Sequence, residues 1–504
     1  MGSYEDLDTL NPILSIQQFV SDVSQMVYSG LIDYDDHGNA VPDVALVVPT
    51  EANGGISPDG RTITYHLRRG VKFSDGVPLT SADVKYTWQQ IMNPNNNVGY
   101  RYPYDDVASI DTPDDATVVV HLKAPLAAFV TAFMCNGTLG SIVPKHLLAQ
   151  YADLNHVAFN TKPIGSGPFV VERWEPGSLL TLRANPLYWR GPPKLHKILY
   201  RIIPNQNTLL MNVLAHDVDL YYDAPEVQFA TLNKLNGYRV THVPNMNYEE
   251  IVFNCARSPF TDVRVRQAVA YAIDWQVLAR DVYFGLDPPG MADTPPASWA
   301  YDQSVLPYPH DLSKARALLR AAGWISDSSG AVVRNGQPLR VDMVTVAGIT
   351  SRAKVEELVQ QDLRAVGIAL DIHNYPADLI FASYGSGGIL ARGQFDLALY
   401  GWTYSYPDPD DTVTLGPGDV PPHGDNYAHF VDAKIGAWQQ AGQLSYDRTK
   451  RRPYYVLIQH RIHDVVPFHT IVWRSNFDAV NTDLQNFKPV PVVSDFWNSW
   501  EWQI

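Results

Sequence analysis

Apolar and polar positions change their period several times along the chain, and each change marks an element. Thr62-Ile63-Thr64-Tyr65-His66-Leu67 and Thr117-Val118-Val119-Val120-His121-Leu122 alternate with a period of two, the pattern of a strand with one buried face. Each run follows a turn, Ser57-Pro58-Asp59-Gly60 or Thr112-Pro113-Asp114-Asp115, so both are expected in one small sheet. Between them Val84, Trp88 and Ile91 recur at helical spacing behind a Thr80/Asp83 capping box. Residues 163–255 read as short strands at 169–172, 179–182, 198–203 and 251–254. From Asp262 onward helices and strands alternate. Asp262 is expected to cap a helix carrying Val265, Ala268, Val269, Ala272 and Ile273, and Ser313 to cap another that Gly323 ends. A third helix, 351–366, stops at Gly367, and Ile368, Leu370 and Ile372 alternate directly after it. Residues 395–400 read as a buried strand and 446–463 as a helix. A helix, a short link and a strand make an α/β unit, which sets the fold class. The long Pro/Gly/Tyr-rich loops 94–106, 285–310 and 404–427 are expected to lie ordered over a surface or cleft.

Composition narrows this picture. The chain has 504 residues, enough for about three domains at roughly 150 residues each. Its 45% apolar and 18% charged residues supply sizeable cores and exclude wholesale disorder. The net charge of −15 disfavours nucleic acid and anionic lipid as partners. Cys135 and Cys255 are too few for a disulfide scaffold and read as two buried thiols, with pairing across the fold as the alternative. No apolar run approaches the roughly 18–20 residues of a membrane span. Met1-Gly2-Ser3 lacks a basic segment followed by an apolar one and reads as a scar of cloning on a mature or trimmed protein.

Patterns of catalysis are scarce. Gly165-Ser166-Gly167 lacks the spacing of a nucleophile elbow, and Pro168 stands where a helix should open. Gly385-Ser386-Gly387-Gly388 lacks the third glycine of a dinucleotide loop. His460 and His463, at i and i+3 with Asp464 beside them, could hold a metal with a third ligand but read as a helix end. Asp33, Asp35 and Gly38 begin like a calcium loop, yet its twelfth position is Val44. No catalytic residue, metal or cofactor is expected. The richest segment is Tyr400-Gly401-Trp402-Thr403-Tyr404-Ser405-Tyr406-Pro407-Asp408-Pro409-Asp410-Asp411. Its rings could face a ligand from a proline-fixed loop or pack down as scaffold.

Several segments together resemble the family 5 extracellular solute-binding proteins, the dipeptide, oligopeptide and nickel-binding components of bacterial ABC importers. Leu10-Asn11-Pro12 resembles the family opening. Ser57-Pro58-Asp59-Gly60 through Leu67-Arg68-Arg69-Gly70-Val71-Lys72-Phe73-Ser74-Asp75-Gly76-Val77-Pro78-Leu79-Thr80-Ser81-Ala82-Asp83-Val84 is similar to its signature almost position by position. Pro163-Ile164-Gly165-Ser166-Gly167-Pro168-Phe169, Phe253-Asn254, Pro259-Phe260 and Asp262-Val263-Arg264-Val265-Arg266-Gln267-Ala268 resemble further blocks. The resemblance implies a type II periplasmic-binding-protein-like fold, bilobal with an extra third lobe. Lobe I would comprise 1–37, 163–254 and 471–504, lobe II the insert 38–162, and lobe III 255–470. Lobes I and III would close by hinge motion, with Asn254 at one crossing and 469–474 near the other. Lobe II would pack rather than bind.

The resemblance implies a small-molecule ligand, a membrane permease as partner, a monomer, and a periplasmic or extracellular location with or without a lipid anchor. The family's peptide anchors are not matched. Ser405 stands where an Asp would meet the peptide α-amino group, and Thr345-Val346-Ala347-Gly348 lacks the Arg that would meet a carboxylate. A hydroxyl does not neutralise a desolvated ammonium, although Asp408 or Asp410 could substitute. The expected ligand-binding residues are Trp402, Tyr404, Ser405, Trp473, Phe19, Gln18 and Arg474, a set that is aromatic and neutral apart from Arg474. It suits a short peptide gripped by its backbone or, alternatively, an oligosaccharide or other neutral solute. The competing readings are a secreted hydrolase using Asp408 and Asp410, and a structural or signalling relative that binds another protein.

Overall fold

The computed structural model describes the chain except residues 5, 16, 100, 136–138, 404–407 and 491–494, and gives Thr403 and Asp378 by their backbone only. A ten-stranded sheet runs through the molecule in the order Ala369–Tyr375, Arg340–Val346, Leu397–Thr403, Tyr238–Phe253, Phe468–Asn481, Leu220–Tyr221, Gly2–Ser3, Lys197–Ile202, Leu179–Ala184, Phe169–Glu175. Its two central strands are its longest and pair antiparallel from Tyr238 opposite Asn481 to Val252 opposite Phe468. One end of this ribbon carries Leu397–Thr403, and the other carries Leu220–Tyr221. Between the ends the register shifts at Pro244/Tyr248 and Glu249/Glu250. Bulges of this kind raise the local twist and bend the ribbon where it passes from one half to the other.

The apolar residues divide accordingly. One core gathers residues from Leu7 to Ile202 together with Leu220, Tyr222 and the stretch from Val480 to Trp502. The other gathers residues from Ile251 to Val472. Strands Thr62–His66, Thr117–Leu122 and Val107–Asp114 form a separate three-stranded sheet, as the alternating runs predict. The helix between them is Ser81–Met92, with both hydrogen bonds of the Thr80/Asp83 box. In the second half Arg340–Val346 and Ala369–Tyr375 are parallel neighbours joined by the helix Thr350–Ala365.

One helix cap moves. The helix Leu312–Ala321 is capped by Asp311, whose Oδ1 accepts from the backbone of Ser313 (3.0 Å) and Lys314 (2.9 Å). Ser313 lies inside the first turn, because a carboxylate two residues earlier reaches the same free amides. Met1-Gly2-Ser3 contributes the strand Gly2–Ser3 to the sheet, parallel to both neighbours. A Cβ on Gly2 would stand 2.6 Å from Leu209 Cδ1. The glycines of Gly165-Ser166-Gly167 serve close approach: a Cβ at 165 would lie 2.0 Å from the carbonyl oxygen of Val27. Cys135 and Cys255 are free thiols, the first buried and the second half-buried.

Candidate ligand-binding site

The site begins with strand alternation. Tyr248, Glu250 and Val252 share one face of Tyr238–Phe253, and Trp402 and Tyr400 stand opposite Tyr248 and Glu250 on the next strand. Trp473 stands opposite Tyr248 on the other side. Two tryptophans singled out in the sequence, Trp402 and Trp473, are thereby brought together through a ring between them. Tyr248 and Trp473 have centroids 4.7 Å apart, while Trp402 packs edge-on against Tyr427 at 6.0 Å. Trp473 is buried and Trp402 half-buried. Glu249 points to the opposite face and meets Arg352 of the helix Thr350–Ala365 in a bidentate pair, both bonds 3.0 Å.

A cavity of about 630 Å³ opens beside Trp402 and Tyr248. Tyr102, Asp106, residues 124–126 and Ala128 form one wall, and Asp408 and residues 410–414 with Asp419, Asp425 and Gln443 form the facing wall. Residues between Tyr102 and Ala128 therefore border this cavity, where packing alone was expected of this part of the chain. A smaller recess of about 20 Å³ shares Tyr248, Trp402, Thr414 and Asp425 with it and reaches Glu250, Asp293, Tyr400 and Tyr427. The loops 94–106, 285–310 and 404–427 each contribute a carboxylate or a ring to these walls.

The acidic side chains differ in how they are held. Asp408 is buried against Arg451 in a bidentate pair at 2.6 and 2.7 Å, so it is not available to a ligand amine. Asp410 accepts from Thr412 Oγ1 at 2.5 Å and from Gln443 Nε2 at 2.8 Å. Asp411 accepts from Gln439 Nε2 at 2.9 Å. Burial pushes the Asp293 carboxyl up to about 6. Burial and the adjacent Asp293 charge raise Asp411, and burial raises Glu250, which is hydrogen-bonded to the Tyr400 hydroxyl.

The remaining sequence-predicted residues disperse. Phe19 is buried in the first core between Tyr4 and Tyr222. Gln18 is exposed, its Nε2 donating to Asp22 at 2.8 Å. Neither lines the two cavities. Arg474 is ion-paired with Glu226 and lies 3.9 Å from Glu249. Asn254 Nδ2 donates to the carbonyls of Gly393 (2.9 Å) and Phe395 (3.0 Å) at the end of the central strand. Tyr404 and Ser405 lie outside the described residues. His460 bonds to Asp302 at 3.0 Å, and His463 stacks on Tyr308. Sequence reasoning missed Tyr248, Glu249, Glu250, Asp293 and Arg352. The signal for three of them was the consecutive Tyr248-Glu249-Glu250 running unbroken into an apolar strand.

A sheet shared by two cores, with a cavity walled by separate segments, defines a multi-lobed α/β receptor of the type II periplasmic-binding-protein class. The family model of bacterial extracellular solute-binding proteins, family 5 Middle, matches residues 46–418, and the chain belongs to this family. It is similar to the oligopeptide-binding protein AppA of Bacillus subtilis (strain 168), 26% identical over 511 residues that cover 100% of this chain and 90% of that protein. Di/tripeptide-binding protein 2 of Pseudomonas aeruginosa (strain UCBPP-PA14) is 27% identical over 476 residues, 90% of this chain and 86% of that protein. NikA from Brucella suis, solved in complex with Fe(III)-EDTA, has the same fold: TM-score 0.84 at 23% identity, over 100% of this chain and 98% of that one. The chain is the solute-binding component of an ABC importer. Among the described residues no helix is long and apolar enough to cross a membrane.

Proposed function

We propose that this chain captures a short peptide or peptide-like solute in the cavity beside Trp402, in the periplasm or outside the cell, and delivers it as a monomer to a membrane permease. The observation that carries the reading is the cavity of about 630 Å³ with Trp402 and Tyr248 on its wall, a volume within the usual range of small-ligand sites. Lobes I (1–37, 163–254, 471–504) and III (255–470) close over the solute about the central ribbon, with Asn254 at the hinge and the insert 38–162 as a further wall. The neutral-ligand alternative, an oligosaccharide, has less support, since Asp106, Asp410, Asp411, Asp419 and Asp425 all line the cavity. A hydrolase using Asp408 and Asp410 has less still, because Arg451 neutralises Asp408.

Thermal-shift and calorimetric titration with a panel of di- to pentapeptides tests this. A binder at a hundred times its dissociation constant should add about 2.7 kcal/mol of stability. Trp402→Ala should abolish that gain without lowering the melting temperature of the unliganded protein. An early-melting unliganded variant would make Trp402 scaffold, and a panel without any binder would overturn the peptide reading.

A further inference from the structure

Glu250 and Asp293 are buried, at 4% and 2% exposure, and both line the small recess behind Trp402. Glu250 Oε2 has no hydrogen-bond donor, its carboxyl being met only by the Tyr400 hydroxyl, and Asp293 faces the Asp411 carboxyl and its own neighbour Thr294 with no cationic partner among the described residues. Among the described residues no Lys, Arg or His is ion-paired with Glu250, Asp293 or the adjacent Asp411, whereas Glu249 has Arg352 and Asp408 has Arg451. A buried carboxylate without a partner is costly, and such groups are ordinarily paired or hydrogen-bonded. The fold therefore gathers buried carboxyls with acceptor capacity to spare and, among the described residues, no cation of the chain's own to meet them.

The shape of the recess narrows what that donor is. Its volume of about 20 Å³ holds one water-sized group. Tyr248, Tyr400, Trp402 and Tyr427 wall it with rings, whose faces attract a cation and whose bodies accept methylenes. It meets the larger cavity at Tyr248, Trp402, Thr414 and Asp425. An ammonium has the size of a water molecule and three donors. A planar guanidinium is larger, and an α-ammonium carries a branched carbon one bond behind the nitrogen.

We propose that the recess binds the primary ammonium at the end of an unbranched aminoalkyl group of the solute, with Glu250 and Asp293 as its acceptors and the Trp402 and Tyr427 rings around its methylenes. This rests on the solute-receptor reading and names the chemical class the receptor selects. The sequence pointed to a neutral site because Ser405 lacks a carboxylate. The carboxylates come instead from the central strand and from the loop 285–310.

Two arms test the proposal separately from the peptide reading. In the first, n-pentylamine and 1-pentanol are compared by thermal shift. The amine should raise the melting temperature of the wild type, the alcohol should not, and Glu250→Gln and Asp293→Asn should each abolish the difference. In the second, calorimetry on the wild type compares Ala-Lys-Ala with the same peptide acetylated at Nα, acetylated at Nε, or carrying norleucine for lysine. Loss of the lysine ammonium should weaken binding about tenfold or more, while Nα-acetylation should be tolerated. Stabilisation by the amine with no tripeptide bound would refute the peptide reading and keep the recess. Equal binding of the lysine and norleucine peptides, or loss on Nα-acetylation alone, would overturn the recess assignment and keep the peptide reading. Equal response to amine and alcohol would also overturn it.

Discussion

Asp408 lines the larger cavity and Glu250 the recess that adjoins it, and their surroundings give these two carboxyls opposite roles. Asp408 meets a guanidinium that also donates to the Gly442 carbonyl (2.6 Å) and the Tyr455 hydroxyl (2.8 Å), so most of the donors beside it are already used. Removing one member of such a buried pair strands the other. Asp408→Ala should therefore lower stability by about 3–5 kcal/mol. The double variant Asp408→Ala with Arg451→Met should recover part of the loss, as read from urea-unfolding midpoints. If Asp408→Ala unfolded at the wild-type midpoint, the pair would contribute nothing and Asp408 would return as a candidate ligand partner. The sequence offered Asp408 as a substitute carboxylate near Ser405, but Arg451 lies 43 residues on, in the helix Arg448–Val465, and no local pattern joins the two.

At the scale of elements the local rules served well, since caps and stops are chemistry within a few residues. Asp262, Thr80 with Asp83, and Gly367 all act where the sequence places them. Gly367 has a positive φ of 85°, and a Cβ there would lie 2.4 Å from the carbonyl oxygen of Gly330. Gly367→Ala thus adds a steric clash to the roughly 1–2 kcal/mol of the left-handed conformation, and should destabilise by at least that amount in denaturant titration. A neutral result would mean that the hairpin carrying Gly330 moves aside freely. The misassigned cap, Ser313 for Asp311, shows the limit of the same rules: two good capping residues stood two apart, and the start of the helix decided between them. The central strand was read as starting at 251 because Glu249 and Glu250 interrupt the apolar run. They belong to it because one meets Arg352 and the other faces the recess.

At the scale of the whole molecule, two cores are joined by a single ribbon of two strands, Tyr238–Phe253 and Phe468–Asn481. In the proposed closure, a bend at its bulges would move one half relative to the other without opening either core. A saturating ligand should make the protein more compact, measurable as a smaller radius of gyration in small-angle X-ray scattering, with the unliganded protein as reference. An unchanged radius on binding of a calorimetrically verified ligand would mean that the halves do not move on capture.

What the sequence determined by itself is whatever depends on neighbours in the chain: the α/β class, most helices and their caps, the small separate sheet, the three loops that border the cavities, and the family. Trp402, conspicuous in its aromatic segment, lines both cavities, whereas Trp473 packs on Tyr248 and lines neither. What only the tertiary structure decided is which charges have partners. Glu249 and Glu250 are adjacent in sequence and identical in type, yet strand alternation sends one to Arg352 and the other to a recess without a cation. Phe19, as aromatic as Trp402, fell into a core instead of a cavity. Burial and pairing are sums over groups distant in the chain, so electrostatics and ligand chemistry emerge only when the fold brings those groups within a few ångströms.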